Sequence, residues 1–361
     1  MTTKFLRSIL LGVLLAACCG VAPHATAAPD EGKSIVTVPG PESAAVPGPC
    51  DRACLKGFVD KYFDALVSRC PCSVALAPQV KYTENGQIVK PGEGLWKTFT
   101  GRGKYRVYLA DPATGQAAYY GDVSEYKGTL LGVMALRLKV EDHRIVEVET
   151  IMVREQLRPK GGLGANTAGV MTPRMIDELQ PSRFVAPDTA LLEPVRAAAR
   201  SPRAQLTSVT DLYYQGVAQK SGATVPFAEN CSRRENGFAA TNDPAGLAVD
   251  PAQLAFRLFS QGCAQEVDRG FFSALAKLGE RRHWVLDEEQ GLVLDLALFD
   301  NEGDVKSVSV PGTGTVTVPP EFLRPITFLQ PLLFKIEGGK IREIEGLSWP
   351  VPYGMRSGWQ K

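Results

Sequence analysis

One short motif occurs twice in the chain, and its two copies divide the sequence into related halves. The copies span residues 74–86 and 225–237, and each begins with Val and ends in Glu-Asn-Gly. The two glutamates, Glu84 and Glu235, are 151 positions apart, as are the helix patterns that precede them. Self-similarity at a fixed distance indicates an internal repeat, so we expect two halves built on one plan.

Later matches keep the plan but change the distance between the copies. Asp111 matches Asp287 at 176 positions, and Lys139-Val-Glu141 matches Lys335-Ile-Glu337 at 196 positions. The growing separation predicts two insertions in the second half, around 239–266 and 301–325. Asp111 and Asp287 each stand four residues before a glycine, a pattern typical of turns.

Each half reads as one long helix followed by strands. Leu55, Phe58, Tyr62 and Leu66 recur at helical steps between Asp51 and Ser68. Later segments alternate as hairpins do, over 105–123 and 130–153 in the first half. Glu147, Glu149, Glu343 and Glu345 alternate with apolar residues, so we expect them on solvent-facing strand surfaces.

This order of elements resembles the nuclear transport factor 2-like fold, which ketosteroid isomerases and SnoaL-like cyclases share. Cys50-Asp-Arg-Ala-Cys-Leu55, Thr83-Glu-Asn-Gly86 and Gly94-Leu-Trp96 resemble an exported group of that fold whose activity is unassigned. The resemblance implies an α+β protein with two cone-shaped domains. Each would be a curved antiparallel sheet with a long N-terminal helix packed across it, and the two would form an internal pseudo-dimer. Members of this fold isomerise, dehydrate, cyclise, hydrolyse epoxides or only bind, so it names no single reaction.

The N-terminus has the features of a targeting signal. Lys4 and Arg7 precede the apolar run Ile9–Ala17, which is too short to span a bilayer. Two cleavage patterns compete: Ala25-Thr26-Ala27 would release a soluble product, and Leu15-Ala16-Ala17-Cys18 would leave a lipid anchor on Cys18. Both predict a secreted or periplasmic protein with no membrane span. The predicted segments are a signal peptide (1–27), a flexible lead-in (28–49), the first domain (50–155), a linker (156–202), the second domain (203–350) and a tail (351–361).

Charge excludes one class of partner. The chain has 40 basic and 39 acidic residues and a net charge of +1, so no strong field would attract nucleic acid. A monomer with an internal pseudo-dimer and a homo-oligomer both stay open.

Six cysteines follow the signal region, and an even number in an exported protein favours disulfides. Cys231 and Cys263 are the two in the second half, so we pair them. A helix of about 25 Å separates Cys50 and Cys54 from Cys70 and Cys72, so no direct bridge should join the two groups. The pairing of these four stays open.

Metal and cofactor chemistry have little support in the sequence. The cysteine spacings are not those of a zinc knuckle, and beyond the signal region the histidines are His143 and His283. We therefore expect neither a metal nor a cofactor.

Carboxylate, arginine and aromatic chemistry is what the sequence offers. Glu84-Asn85 and Glu235-Asn236 end a short strand that, in the resembled fold, runs beside the mouth of the cone. Asn-Gly is also the strongest short hairpin signal, so a plain turn is the competing interpretation. The second copy is favoured as a site because Arg234 precedes Glu235 and the predicted disulfide would bring Asp268 close.

The resulting hypothesis is that the second cone binds a small organic molecule and catalyses a cofactor-free isomerisation or elimination. Glu235 would be the base, Arg234 and Asn236 would stabilise charge, and Asp268 or Tyr213 would be the acid. The alternative is a non-catalytic module that binds a ligand, a glycan or a protein. Further pocket residues are predicted, each with core packing or a turn as the competing interpretation: Tyr214, Phe271, Phe272, His283, Glu84, Asn85 and Trp96.

Overall fold

A computed structural model describes residues 48–154, 184–242, 261–318 and 320–360 of the chain. The predicted signal peptide, the lipidation site Cys18 and the lead-in up to residue 47 lie outside these ranges, as does the linker up to residue 183. The described residues belong to one compact unit.

The first half contains two helices and six strands. They are α1 (Arg52–Ser68), β1 (Leu76–Glu84), β2 (Gln87–Ile88), α2 (Leu95–Thr98), β3 (Phe99–Asp111), β4 (Gln116–Glu125), β5 (Leu130–Glu141) and β6 (Arg144–Arg154). One helical turn, α3 (Thr189–Leu192), and a 3-10 turn at Ala197–Ala199 lie in the segment before the second half, which the sequence predicts as a linker.

The second half repeats this order with additions. Its elements are α4 (Arg203–Gln219), β7 (Phe227–Glu235), β8 (Phe238–Ala239), α5 (Cys263–Arg269), α6 (Phe271–Leu275), β9 (Lys277–Asp287), β10 (Leu292–Asn301), β11 (Ser307–Val310), β12 (Gly314–Thr317), β13 (Ile326–Glu337), β14 (Lys340–Gly346) and β15 (Trp349–Pro352). The small β11–β12 hairpin falls within the predicted insertion at 301–325.

The two halves have the same strand order. The first sheet runs β2-β1-β6-β5-β4-β3 and the second β8-β7-β14-β13-β10-β9, with β15 also paired to β13. The expectation of purely antiparallel sheets is wrong, because β1 pairs with β6 and β7 pairs with β14 in parallel. A parallel pair needs a long crossover, and the strands between β1 and β6 supply it. The protein is therefore an α+β protein with two mixed sheets.

Each long helix has one apolar face and ends in a left-handed residue, and α1 also has a side-chain cap at its N-terminus. The Asp51 carboxylate accepts a hydrogen bond from the backbone N–H of Cys54 at 2.8 Å, which satisfies a free donor in the first turn of α1. Arg69 and Lys220 end α1 and α4 in the left-handed conformation, with φ of 56° and 55°.

Three apolar clusters account for the packing. One lies between α1 and the first sheet, and the second lies between α4 and the second sheet. The third contains side chains from both sheets, such as Val107 and Tyr120 from the first and Leu294 and Leu296 from the second. Val293 and Ala297 of β10 belong to the helix-facing cluster, so both faces of this strand are buried.

The prediction that the paired glutamates face solvent is wrong for three of the four. Glu149, Glu343 and Glu345 are between 1% and 4% exposed. The alternation was read correctly, but the face opposite the helix is covered by further protein instead of water. Arg137 and Arg282 bind the Glu149 carboxylate there.

Each cysteine outside the signal region is in a disulfide. Cys231 pairs with Cys263, as predicted. Cys50 pairs with Cys54 and Cys70 with Cys72, so each of these bridges closes a very short loop. In the described part of the chain, no helix is long and apolar enough to cross a membrane.

Candidate functional site

A cavity lies between α4 and the second sheet, beside α5 and α6. It encloses about 110 Å³, several times the space that one ordered water requires. Its wall is mostly apolar and includes five phenylalanines: Phe271, Phe272, Phe299, Phe322 and Phe328. A concave apolar space with few polar groups is the usual form of a small-molecule site.

Strand alternation places a charged pair at the cavity. Arg233 and Glu235 are two residues apart on β7, so their side chains emerge on the same face. The strand ends at Asn236-Gly237, where both residues have positive φ, 48° and 79°, as a tight hairpin turn requires. The turn and the site interpretations of this motif are therefore compatible.

Arg233 is held between two carboxylates. Its Nη1 donates to Oε1 of Glu266 at 2.6 Å, and its Nη2 donates to Oε2 of Glu235 at 2.5 Å. The other oxygen of Glu235 accepts from Nε2 of Gln330 at 3.2 Å, and the same amide donates to the Ser348 hydroxyl. These hydrogen bonds form one connected polar network, which we call the cavity floor, at one side of an otherwise apolar cavity.

Burial and charge act in opposite directions on this network. Burial raises the pKa of Glu235, while the Arg233 guanidinium acts to lower it, and burial is the larger effect. For Arg233, burial favours the neutral form, but the Glu266 and Glu235 carboxylates outweigh it and raise its pKa. Burial also raises the pKa of Tyr213 to about 12. Tyr213 therefore stays a neutral hydroxyl beside the carboxylates.

Several predicted site residues line this cavity: Glu235, Tyr213, Phe271 and Phe272. The two phenylalanines pack edge to face, with ring centroids 5.2 Å apart.

The other predicted catalytic residues have different contacts. Nε of Arg234 lies 3.9 Å from Glu345 Oε1, because residue 234 emerges on the face of β7 opposite the cavity. The Asn236 amide bonds to both backbone groups of Ser348, at 3.0 and 3.2 Å. The exposed Asp268 accepts from the backbone N–H of Gly222 at 2.6 Å. The structure does not bring these three side chains to the cavity lining.

Tyr214 and His283 belong to a separate polar cluster under α4. Nδ1 of His283 lies 2.8 Å from Oδ1 of the buried Asp295, and Nε2 lies 3.4 Å from Asp211. The guanidinium carbon of Arg281 lies over the Tyr214 ring, 4.9 Å from the ring centroid. Burial acts to lower the pKa of His283, but Asp295 and Asp211 together outweigh it, so the pKa is raised.

The predicted first-half residues are packed among their neighbours. Trp96 is 1% exposed, and its ring lies edge to face with Tyr62 at 5.6 Å. Glu84 accepts from the backbone N–H of Leu95 at 2.9 Å and from the Tyr82 hydroxyl. Asn85 bonds both backbone groups of Met152, as Asn236 does with Ser348.

The polar network at the cavity contains four residues that were not in the predicted set: Arg233, Glu266, Gln330 and Ser348. For Arg233, strand periodicity was a usable signal, because residue 233 shares a face with Glu235 and residue 234 does not. Gln330 and Ser348 come from distant strands, and no local pattern points to them.

One group of potential metal ligands occurs among the described residues. Donor atoms of Cys50, Cys54 and His143 lie within 4.8 Å of one another. Both sulfur atoms are in a disulfide, so neither is a thiolate that could bind a metal.

Comparison with known proteins covers the second half of the chain. Residues 199–348 match a family model described as "Domain of unknown function (DUF8021)". The cavity residues, from Tyr213 to Ser348, all fall within this range. No curated protein matches the chain.

Proposed function

We propose that the second half binds a small, largely apolar organic molecule in the cavity beside α5 and α6. The observation that carries the proposal is an aromatic cavity with a buried Arg233–Glu235–Glu266 network at its floor. A buried charged network costs desolvation energy, so its position at a cavity favours a role in recognition or chemistry over a role in stability.

The fold proposal is that each half is a nuclear transport factor 2-like cone and that the two pack as an internal pseudo-dimer. The identical strand orders support it, as does the apolar cluster shared by the two sheets. In this arrangement the first half would be the structural partner, because Trp96 and Tyr62 pack in its interior.

A second candidate function is proton transfer at the same site. Its support is that Glu235 is buried, has a raised pKa and lies in a cavity with the neutral Tyr213 hydroxyl. In this proposal Glu235 is the base, Tyr213 the acid, and Gln330 and Arg233 stabilise developing charge. Arg233 and Gln330 replace Arg234 and Asn236 in these roles, because they line the cavity.

Binding is tested with the neutral fluorescent dye Prodan, whose emission rises and shifts in an apolar site. We expect wild type to bind one dye molecule per chain, and the cavity-lining variant Ala276→Phe to weaken binding by about tenfold or more through steric filling. Ala204→Phe, on the exposed side of α4, is the matched control. Equal dye binding by Ala276→Phe and wild type would contradict the proposal.

Proton transfer is tested by deuterium exchange from solvent into enolisable ketones, followed by NMR. We expect exchange catalysed by wild type to fall by about 100-fold or more in Glu235→Gln, the size of a general-base contribution. Glu84→Gln, the equivalent change in the first half, should leave the rate unchanged. No exchange above the solvent rate, with normal dye binding, would leave a binding module as the function.

A further inference from the structure

The charged side chains at the cavity differ in whether they have ion-pair and hydrogen-bond partners among the described residues. Arg233, Glu235 and Glu266 pair with one another. Arg269, the last residue of α5, also lines the cavity, but its Nη1 is shielded from solvent and has no hydrogen-bond partner in the described part of the chain. Within the described ranges, this cation at the cavity therefore has no ion-paired carboxylate.

The unsatisfied groups at the cavity share one chemical character. The buried polar atoms there without a partner in the described structure are Nε of Arg233 and Nη1 of Arg269, both guanidinium N–H donors. A buried donor without an acceptor is destabilising, and more so when it belongs to a charged group. A bound molecule that brings an acceptor to Arg269 would remove this cost.

We propose that the ligand is a carboxylic acid with an apolar body, whose carboxylate pairs with Arg269 while its hydrocarbon part lies among the phenylalanines. This inference rests on the proposed binding function and specifies the ligand class. An arginine fork matches a carboxylate in shape as well as charge.

Charge explains why the ligand should be an anion and not merely a neutral acceptor. Among the described residues both carboxylates of the network hydrogen-bond to Arg233, and neither forms an ion pair with Arg269. Burial lowers the pKa of Arg269 and Glu266 acts to raise it, so this guanidinium is partly desolvated. A neutral amide would satisfy the donor but would leave this charge unpaired.

The test compares a matched acid and amide, octanoate and octanamide, as competitors of Prodan at neutral pH. We expect octanoate to displace the dye from wild type at a concentration about tenfold or more below that of octanamide. Arg269→Gln should abolish this preference, as judged from competition constants corrected for the variant's own Prodan affinity. Arg342→Gln, which removes a partly exposed arginine outside the cavity, is the control for net charge.

Failure of this inference differs from failure of the proposed function. If Prodan binds but octanoate and octanamide compete equally, or if Arg269→Gln keeps the preference, the carboxylate assignment is wrong and the cavity is still a binding site. If Prodan does not bind to wild type, the binding function itself fails. Arg269→Lys adds a further check, because it keeps the charge and loses the fork, and we expect it to retain part of the preference.

Discussion

Arg52 in the first half forms a bidentate ion pair with Asp287 in the second, with oxygen–nitrogen distances of 2.6 and 2.7 Å. The reciprocal pair is also present: Arg203 Nη1 lies 2.8 Å from Asp111 Oδ2. Arg52 and Arg203 are equivalent in the repeat, as are Asp111 and Asp287. Reciprocal contacts between equivalent residues are what a two-fold relation between the halves would produce.

The Arg52–Asp287 pair should contribute more to stability than its counterpart. Asp287 is fully buried and also accepts from the backbone N–H of Ala110, so loss of Arg52 would leave a buried carboxylate without its cation. We expect Arg52→Met to lower the free energy of unfolding by about 2 kcal/mol, less than for a fully enclosed pair. Urea unfolding measures the change.

Arg203→Met is the matched variant for this comparison. Arg203 reaches Asp111 through one nitrogen and is more exposed than Arg52, so the loss should be smaller. If Arg203→Met destabilises the protein as much as Arg52→Met does, the bidentate geometry of the Arg52–Asp287 pair is not what gives it its strength.

The buried glutamate pair on β14 should make stability depend on pH. Burial and the neighbouring Glu345 raise the pKa of Glu343 from 4.5 to about 8. The folded protein therefore holds a proton that the unfolded chain releases above about pH 4.5. The stabilisation from Glu343 is complete below that pH and is lost as pH rises through about 8. We expect wild type to lose up to about 5 kcal/mol of unfolding free energy across this range from this group.

Glu343→Gln should remove this dependence, because the amide stays neutral, and should be more stable than wild type at pH 8. Glu147→Gln changes the equivalent residue of the first half, which is partly exposed and pairs with Arg137, and serves as the control. Denaturation midpoints measured at several pH values compare the three proteins. A Glu343→Gln profile parallel to that of wild type would show that Glu343 does not hold the extra proton.

The three disulfides should differ in their effect on stability. Cys231 and Cys263 are 32 positions apart, while Cys70 and Cys72 are 2 apart. Because a bridge restricts the unfolded chain more when its loop is longer, replacing Cys231 and Cys263 by Ala should cost about 3–4 kcal/mol. The same change at Cys70 and Cys72 should cost less than about 2 kcal/mol. Equal losses in guanidinium unfolding would argue against loop closure as the cause.

The repeat was sufficient to predict much of the architecture. Glu84 and Glu235 fixed the alignment of the halves, and the structure places both at the end of equivalent strands. The parallel pairing of β1 with β6 was missed, because hairpin signals report neighbours in sequence, and these strands are joined by a long crossover.

Burial of Glu343 and Glu345 could not be read from their own strand. The alternation of polar and apolar residues along β14 shows that the two faces of the strand differ. It does not show whether water or protein covers each face. A usable signal was elsewhere: β10 contains Leu292-Val-Leu-Asp-Leu-Ala297, which is mostly apolar on both faces and is typical of a strand buried on both sides.

Some of the residues predicted for the site line the cavity, and others do not. Glu235, Tyr213, Phe271 and Phe272 line the cavity, whereas Arg234 emerges on the opposite face of β7. Adjacency in sequence favoured Arg234, and the predicted disulfide favoured Asp268, but side-chain direction on the strand and helix determines which groups meet. Gln330 approaches Glu235 across 95 positions, a contact that only the folded sheet reveals.

Removing Trp96 should create a second binding cavity in the first half. Its ring is almost fully buried against Tyr62, the equivalent of the cavity residue Tyr213. We expect Trp96→Ala to lower the free energy of unfolding by about 3 kcal/mol or more and to leave an apolar space. Prodan titration should then show two sites per chain where wild type has one. A Trp96→Ala, Ala276→Phe double variant should keep one site, now in the first half. If Trp96→Ala is folded and still binds a single dye, the interior of the first half has collapsed around the missing ring, and the difference between the halves does not depend on this side chain alone.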